Sequence, residues 1–239
     1  MTTPKTSPAI PKATEWPAGY RIDAAAPALP ADLVTAFRAV PVAIAGDCLG
    51  RIIGAVGLRA YHEDHAAVLC GTAFTVRVRP GDNLMIHKAL LMARAGDVIV
   101  IDGSGDLTQA LIGGLMRTTA MARGVAGFVV DGAIRDVAEW ADGAIPVFAR
   151  GHTHRGPSKD GPGEINTPIA CGGMIVLPGD LVLGDADGVI AIRADELAAL
   201  LPKAQAQLAR ENETRQANAD GAQSAERFDA ILRAKGLPV

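Results

Sequence analysis

Two uninterrupted apolar stretches, Val98-Ile99-Val100-Ile101 and Gly127-Phe128-Val129-Val130, set the strongest limit on what this chain can fold into. Both are strand-sized and too short for buried helices, so they predict strands covered on both faces. Between them lie a Gly-rich loop at 102–106 and a helical segment running to Ala122 and closed by Arg123-Gly124. Before them, residues 66–80 alternate apolar and polar side chains (Val76, Arg77, Val78, Arg79) and stop at Pro80-Gly81. Residues 82–94 then read as a helix with Asp82 as capping candidate and an apolar face of Met85, Ile86, Ala89, Leu90 and Ala93. Strand–helix–strand units of this kind predict an α/β domain.

The rest of the chain frames that centre. Residues 1–30 carry six prolines and few large apolar side chains, and read as an irregular arm laid over the body or over a neighbouring subunit. Residues 31–52 predict two helices, one opening at Ala31 and one over 42–49. Asp131-Gly132 is expected to turn the chain after the second apolar strand. Beyond Val147 the pattern is strands and Gly/Pro turns, with a hairpin formed by Leu181-Val182-Leu183, the Asp185-Ala186-Asp187-Gly188 turn and residues 189–192. From Asp195 the chain is polar, Ala-rich and helical. The expected organisation is an arm (1–30), one α/β domain (31–194) and a C-terminal helical tail (195–239).

Composition excludes several function classes. The net charge of −3 is spread without a Lys/Arg cluster, so no nucleic-acid footprint is expected. Three dispersed cysteines make no CxxC pair and suggest reduced thiols in a cytoplasmic protein. The N-terminus lacks the apolar stretch of a signal peptide, and no membrane partner is expected. No Walker or GxGxxG pattern stands where a nucleotide fold needs one.

Asp131-Gly132-Ala133-Ile134-Arg135-Asp136 is the segment most suited to chemistry. It ends a buried strand, where ligands of α/β sheets gather. Arg135 can hold a carboxylate bidentately, and Asp136 offers hard oxygen ligands for Mg2+ or Mn2+. The same pair reads equally well as a local ion pair or a helix cap. Gly113-Gly114-Leu115-Met116 can expose backbone N–H groups to an anion if a helix starts there. If the helix starts near Leu107, those glycines merely allow close packing. His87, one turn after Asn83, can reach a site or sit half-buried in the core. His152 and His154 read as part of a solvated loop, Asp185 and Asp187 as turn formers, and 159–166 as a loop able to close over a site or an interface.

In order and spacing, these pieces resemble the RraA-like family, which includes 4-hydroxy-4-methyl-2-oxoglutarate / 4-carboxy-4-hydroxy-2-oxoadipate aldolases. The resemblance covers roughly residues 40–195. It rests on Asp82-Asn83-Leu84-Met85-Ile86-His87, Ala95-Gly96-Asp97-Val98, Gly113-Gly114-Leu115-Met116 and 122–127. Asp131 to Asp136, Ile165-Asn166-Thr167-Pro168-Ile169 with Cys171-Gly172-Gly173, and the segment from Pro178 to Val189 complete it.

The resemblance implies an αββα-type sandwich assembled as a homotrimer or homohexamer with sites between subunits. It implies Mg2+ or Mn2+ at Asp136, partly through water, Arg135 on the pyruvyl part of a 2-oxo-acid substrate, and the Leu115 and Met116 amides on its carboxylate. The activity implied is a class II pyruvate aldolase, with oxaloacetate decarboxylation as a side activity. Aldolases of the family often carry an acidic residue where this chain has Gly114, tied to metal-water or proton-transfer work, and Asp102 or Asp106 is the expected substitute. Other relatives inhibit a ribonuclease by protein contact. The Arg135-Asp136 pair, the arm and the tail favour the enzyme over such a regulator, and a lyase or dehydratase acting on another hydroxy or oxo acid is the third reading.

Overall fold

The computed structural model describes residues 16–222 and 226–239. In chain order the elements begin with β1 (Tyr20–Ile22), α1 (Ala31–Arg38), α2 (Val42–Cys48), β2 (Arg59–Ala60) and β3 (Leu69–Val78). Then come α3 (Leu84–Met92), β4 (Asp97–Asp102), β5 (Ala110–Ile112), α4 (Gly114–Ala122), β6 (Gly127–Ile134) and α5 (Val137–Trp140). The last are β7 (Val147–His152), β8 (Gly163–Ile165), β9 (Ile169–Cys171), β10 (Met174–Val176), β11 (Leu181–Asp185), β12 (Gly188–Ile192), α6 (Leu197–Ala219) and α7 (Glu226–Ala234).

The main sheet runs β1-β8-β3-β4-β6-β7-β2, with β3, β4, β6 and β7 mutually parallel at its centre. The two apolar stretches are β4 and β6, side by side, with Ile99 opposite Phe128 and Ile101 opposite Val130. Because side chains alternate across a strand, the two faces divide cleanly. Ile99, Ile101, Phe128 and Val130 point to one face and pack with Ile86 and Leu90 of α3, Met116 and Ala120 of α4, and Trp140 of α5. Val98, Val100 and Val129 point to the other and pack with Ile169, Cys171, Met174 and Val176 of the β9–β10 ribbon and Val182 and Val189 of the β11–β12 hairpin. The outer face of that hairpin, Leu181, Leu183, Ile190 and Ile192, is covered by Phe37 of α1, Ile44 and Ala45 of α2, and Leu197, Leu200 and Ala204 of α6. The layers are helix, strand, strand, helix: the αββα arrangement in a single α/β domain.

Two expectations need correction. The chain does not turn at Asp131-Gly132, because β6 continues to Ile134. Its second half finds partners that are distant in sequence: Ala133 and Ile134 pair with β5 on one side and with Gly151 and His152 of β7 on the other. Within that strand a Cβ at Gly132 would lie 2.8 Å from Leu111 Cδ1, so Leu111 packs where a side chain would otherwise stand. The arm is not irregular throughout either. Residues 1–15 lie outside the described residues, but Tyr20–Ile22 forms an edge strand parallel to β8. The hairpin turn holds as read: Asp185 Oδ1 accepts from the Asp187 N–H at 2.9 Å, and its Oδ2 caps α2 through the Val42 N–H at 2.8 Å. The C-terminal tail is two helices, of which α6 packs its first turns on α2 and α7 is exposed. Among the described residues no helix is long and apolar enough to cross a membrane.

Candidate active site

The end of β6 delivers Arg135 and Asp136 to the surface in a fixed geometry. The Arg135 N–H is bonded to Ile112 O at 3.0 Å, and Arg135 O accepts from the indole N–H of fully buried Trp140 at 3.0 Å. Asp136 then adopts a left-handed conformation (φ 57°), which breaks the strand and opens α5. Asp and Asn tolerate that region better than other non-glycine residues. Asp136 Oδ2 accepts the Gly114 N–H at 2.8 Å and lies 3.5 Å from Arg135 Nε.

The first turn of α4 faces this pair. The helix starts at Gly114, with Gly113 extended before it, so the glycines stand at the N-terminus and not inside the helix. A side chain at either position would meet a carboxylate of the Asp136–Glu139 segment. A Cβ on Gly113 would lie 2.5 Å from Asp136 Oδ2, and one on Gly114 would lie 2.5 Å from the carboxyl carbon of Glu139. The N–H groups of a first helical turn have no carbonyl behind them and attract anions. Here Gly114 gives its N–H to Asp136, while the Met116 N–H already reaches Gly113 O at 3.0 Å. Leu115 is left as the amide with the most freedom to bind a ligand, and Met116 can donate only by sharing.

Arg135, Gly113, Leu115 and Met116 line a cavity of about 120 Å³ together with Asn83, His87 and Lys159. Asn83 is buried; its Nδ2 donates to Leu111 O at 3.0 Å, but its Oδ1 has no partner. An orphaned buried oxygen in a cavity wall is costly unless a ligand or water satisfies it. Half-buried His87 has its pKa lowered by burial first and by the Lys159 charge second, which favours a neutral imidazole. Asp82 pins the loop on both sides of Lys159, at Ser158 and at Asp160. That carboxylate is fully buried and accepts from the Leu84 N–H (2.9 Å), Ser158 Oγ (2.7 Å) and the Asp160 N–H (2.7 Å). A larger hollow of about 460 Å³, lined by Ile52, Ile53, Met174, Ile175, Asp180 and Arg193, brings together no comparable set of ligand-directed groups.

The description Aldolase/RraA belongs to the RraA-like family model, which matches residues 39–191. The chain belongs to the RraA-like family. It is 43% identical over 174 residues to a Halalkalibacterium halodurans protein whose name provisionally makes it a 4-hydroxy-4-methyl-2-oxoglutarate aldolase, covering 72% of this chain and 82% of the relative. A Thermus thermophilus protein named 4-hydroxy-4-methyl-2-oxoglutarate aldolase is 39% identical over 124 residues, 52% of this chain and 75% of the relative. Among solved structures, a Streptomyces coelicolor protein described as an unusual member of the RNase ES inhibitor RraA family superposes with a TM-score of 0.71 at 26% identity. That match covers 78% of this chain and 96% of the other.

Against the RraA-like framework, the remaining sequence candidates separate. Asp131 is structural: its carboxylate accepts from Arg150 Nε at 2.5 Å and from the Gly172 N–H at 2.7 Å, tying β6 to β7 and the β9–β10 turn. Asp102 is engaged by the Ser104 N–H (3.0 Å) and by Arg77 of the neighbouring β3 (3.4 Å), and Asp106 by Thr108 in its own loop. The acidic group beside Gly114 is Glu139, which sequence reasoning passed over. The available signal was its place one helical turn after Asp136. His152 bonds to the Tyr61 hydroxyl at 3.2 Å, and His154 sits in an exposed loop. Cys70 and Cys171 are buried, and burial raises both thiol pKa values, that of Cys70 to about 11, which disfavours a thiolate nucleophile.

No group of three or more His, Cys, Asp or Glu side chains converges on a metal position among the described residues. The donor chemistry nonetheless suits a hydrated hard cation. Asp136 is about 40% exposed with one oxygen engaged, and Mg2+ commonly binds through one or two carboxylates while keeping several waters.

Proposed function

We propose that this chain is a divalent-metal-dependent lyase that cleaves a 4-hydroxy-2-oxo acid to pyruvate and a second oxo acid, with oxaloacetate decarboxylation as a side activity. The supporting observation is that Arg135 and the first turn of α4 line one small cavity while Asp136, paired with Arg135, rests on the Gly114 N–H at the start of the same helix. The aldolase names of the two relatives point the same way.

In this reading the Arg135 guanidinium and the Leu115 N–H hold the 2-oxo acid by its carboxylate end, with the shared Met116 N–H behind them. Asn83 Oδ1, neutral His87 and the Lys159 ammonium receive the polar far end of the substrate. Asp136 is the protein ligand for Mg2+ or Mn2+, and water completes the shell. The bound cation would polarise the 2-oxo group and stabilise the enolate left when the C–C bond breaks. Gly113 keeps this space open, since any side chain there would strike Asp136 and Arg135. The site is proposed to be completed by neighbouring subunits of a homotrimer or homohexamer. Light scattering would then give a mass well above 24.6 kDa, and a strict monomer would contradict a shared site.

The deciding experiment couples pyruvate release to lactate dehydrogenase, with 4-hydroxy-4-methyl-2-oxoglutarate and oxaloacetate as substrates, in Mg2+ or Mn2+ and again in EDTA. Metal-dependent pyruvate supports the proposal. No pyruvate from either substrate, together with stoichiometric capture of a ribonuclease, would return the chain to the regulator reading. Within the lyase reading, Arg135→Lys should raise KM about 10- to 100-fold, because an ammonium cannot reproduce a bidentate fork worth about 1.5–3 kcal/mol. An unchanged KM would remove Arg135 from the binding role.

A further inference from the structure

Gly114 and Glu139 share one volume. With no side chain at 114, the Glu139 carboxyl group fills the space a Cβ would need, its carbon 2.5 Å from that position and both oxygens closer. Glu139 reaches it from α5, where its N–H is bonded to Asp136 O at 2.9 Å. One short segment therefore sends two carboxylates to the start of α4: Asp136 onto the Gly114 N–H and Glu139 over the Gly114 Cα. Glu139 is exposed, whereas Asp102 is engaged by the Ser104 N–H and Arg77 and Asp106 by Thr108. The cavity beside the same helix start holds the Asn83 Oδ1, buried without a partner, which a polar ligand there would satisfy.

We propose that Glu139 is the proton acceptor of the cleavage reaction, an inference that rests on the lyase reading above. Aldol cleavage needs a base for one defined proton. The Glu139 carboxylate takes the proton from the 4-hydroxyl, the C4–O pair closes to a carbonyl, and the C3–C4 bonding pair passes into the enolate of pyruvate. The enolate then takes a proton at C3 from solvent water, and Glu139 returns its proton to solvent, so one proton leaves the substrate and one enters it. Oxaloacetate decarboxylation passes through the same enolate but has no hydroxyl proton to remove. Asp136 and Arg135 serve both reactions; Glu139 serves one. If Glu139 merely balanced the α4 dipole, it would affect both equally or neither.

The test is Glu139→Gln and, separately, Gly114→Ala, assayed on both substrates with the same metal. Mn2+ affinity is followed by electron paramagnetic resonance, and folding by thermal melting. In Glu139→Gln the ratio of cleavage to decarboxylation should fall about 100-fold, the lower range for loss of a general base, while the Mn2+ Kd moves less than about 3-fold. Gly114→Ala displaces the flexible end of Glu139 and should lower the same ratio with folding retained. The double variant should lose little more than either single one, because the two changes remove one interaction. Equal losses on both substrates, or an unchanged ratio in an active enzyme, would overturn the role of Glu139 alone. A wild type releasing pyruvate only from oxaloacetate would overturn it too, and a wild type inert on both would overturn the lyase reading along with it.

Discussion

Asparagine in place of Asp136 is expected to lower metal-dependent pyruvate release about 1000-fold while leaving the protein folded, since a cation at a developing enolate is worth several kcal/mol. Asparagine is the informative choice. It tolerates the left-handed backbone at φ 57° and can still accept the Gly114 N–H through its amide oxygen, so the turn into α5 survives. What it loses is the negative charge that holds a hard cation. Alanine would mix that loss with about 1 kcal/mol of backbone strain and an unpaired amide at the head of α4. Mn2+ binding and pyruvate release, measured on the same preparation, check the prediction. Full turnover in a folded Asp136→Asn protein would sink the metal-dependent reading.

The second large effect concerns stability. Asp82→Asn should cost about 3 kcal/mol, the scale for disrupting a buried, fully bonded charge. The carboxylate accepts from two backbone N–H groups and a hydroxyl, with Arg79 Nη2 at 3.3 Å, and an amide offers only one acceptor oxygen to that set. At this chain length the melting temperature should fall by about 10 °C. Burial pushes the Asp82 pKa up, but the N–H groups of Asp160 and Leu84 and the Ser158 hydroxyl together hold it below the ordinary carboxylate value. A group depressed in the folded state stabilises it above the unfolded pKa of about 3.9, and that contribution is lost as the pH falls through the folded value. The gap between wild type and variant should therefore be full at neutral pH and close in acid. A gap that widened below pH of about 4 would contradict the assignment of Asp82 as the anchoring anion. Because Ser158 and Asp160 flank Lys159, the same variant should also raise KM.

Much of this architecture is legible in local pattern. The apolar stretches at β4 and β6, the alternation in β3, the apolar face of α3 and the β11–β12 hairpin are each encoded within a dozen residues, where side-chain period and turn chemistry act directly. The motifs that carry the family resemblance are local in the same sense, and the match over residues 39–191 agrees with them. Where the reading failed, the deciding partner was remote. Asp131-Gly132 has the composition of a turn, yet it stays in β6 because β5 and β7 complete the ladder around the residues that follow, and because Arg150 and Gly172 take up the carboxylate.

The candidate site divides along the same line. Residue identity and order alone establish that an arginine and an aspartate follow a buried strand, that two glycines lie some twenty positions earlier, and that no acid stands at 114. Only the tertiary structure decides that the glycines open α4, that the Asp136 oxygen rests on the Gly114 N–H, and that Asn83, His87 and Lys159 from two other segments meet Arg135 at one cavity. It alone places Glu139, not Asp102 or Asp106, over Gly114. The reason is physical: periodicity and propensity report how neighbours along the chain share a helix or a strand, whereas a site is made of contacts between segments whose approach is set by how the layers pack.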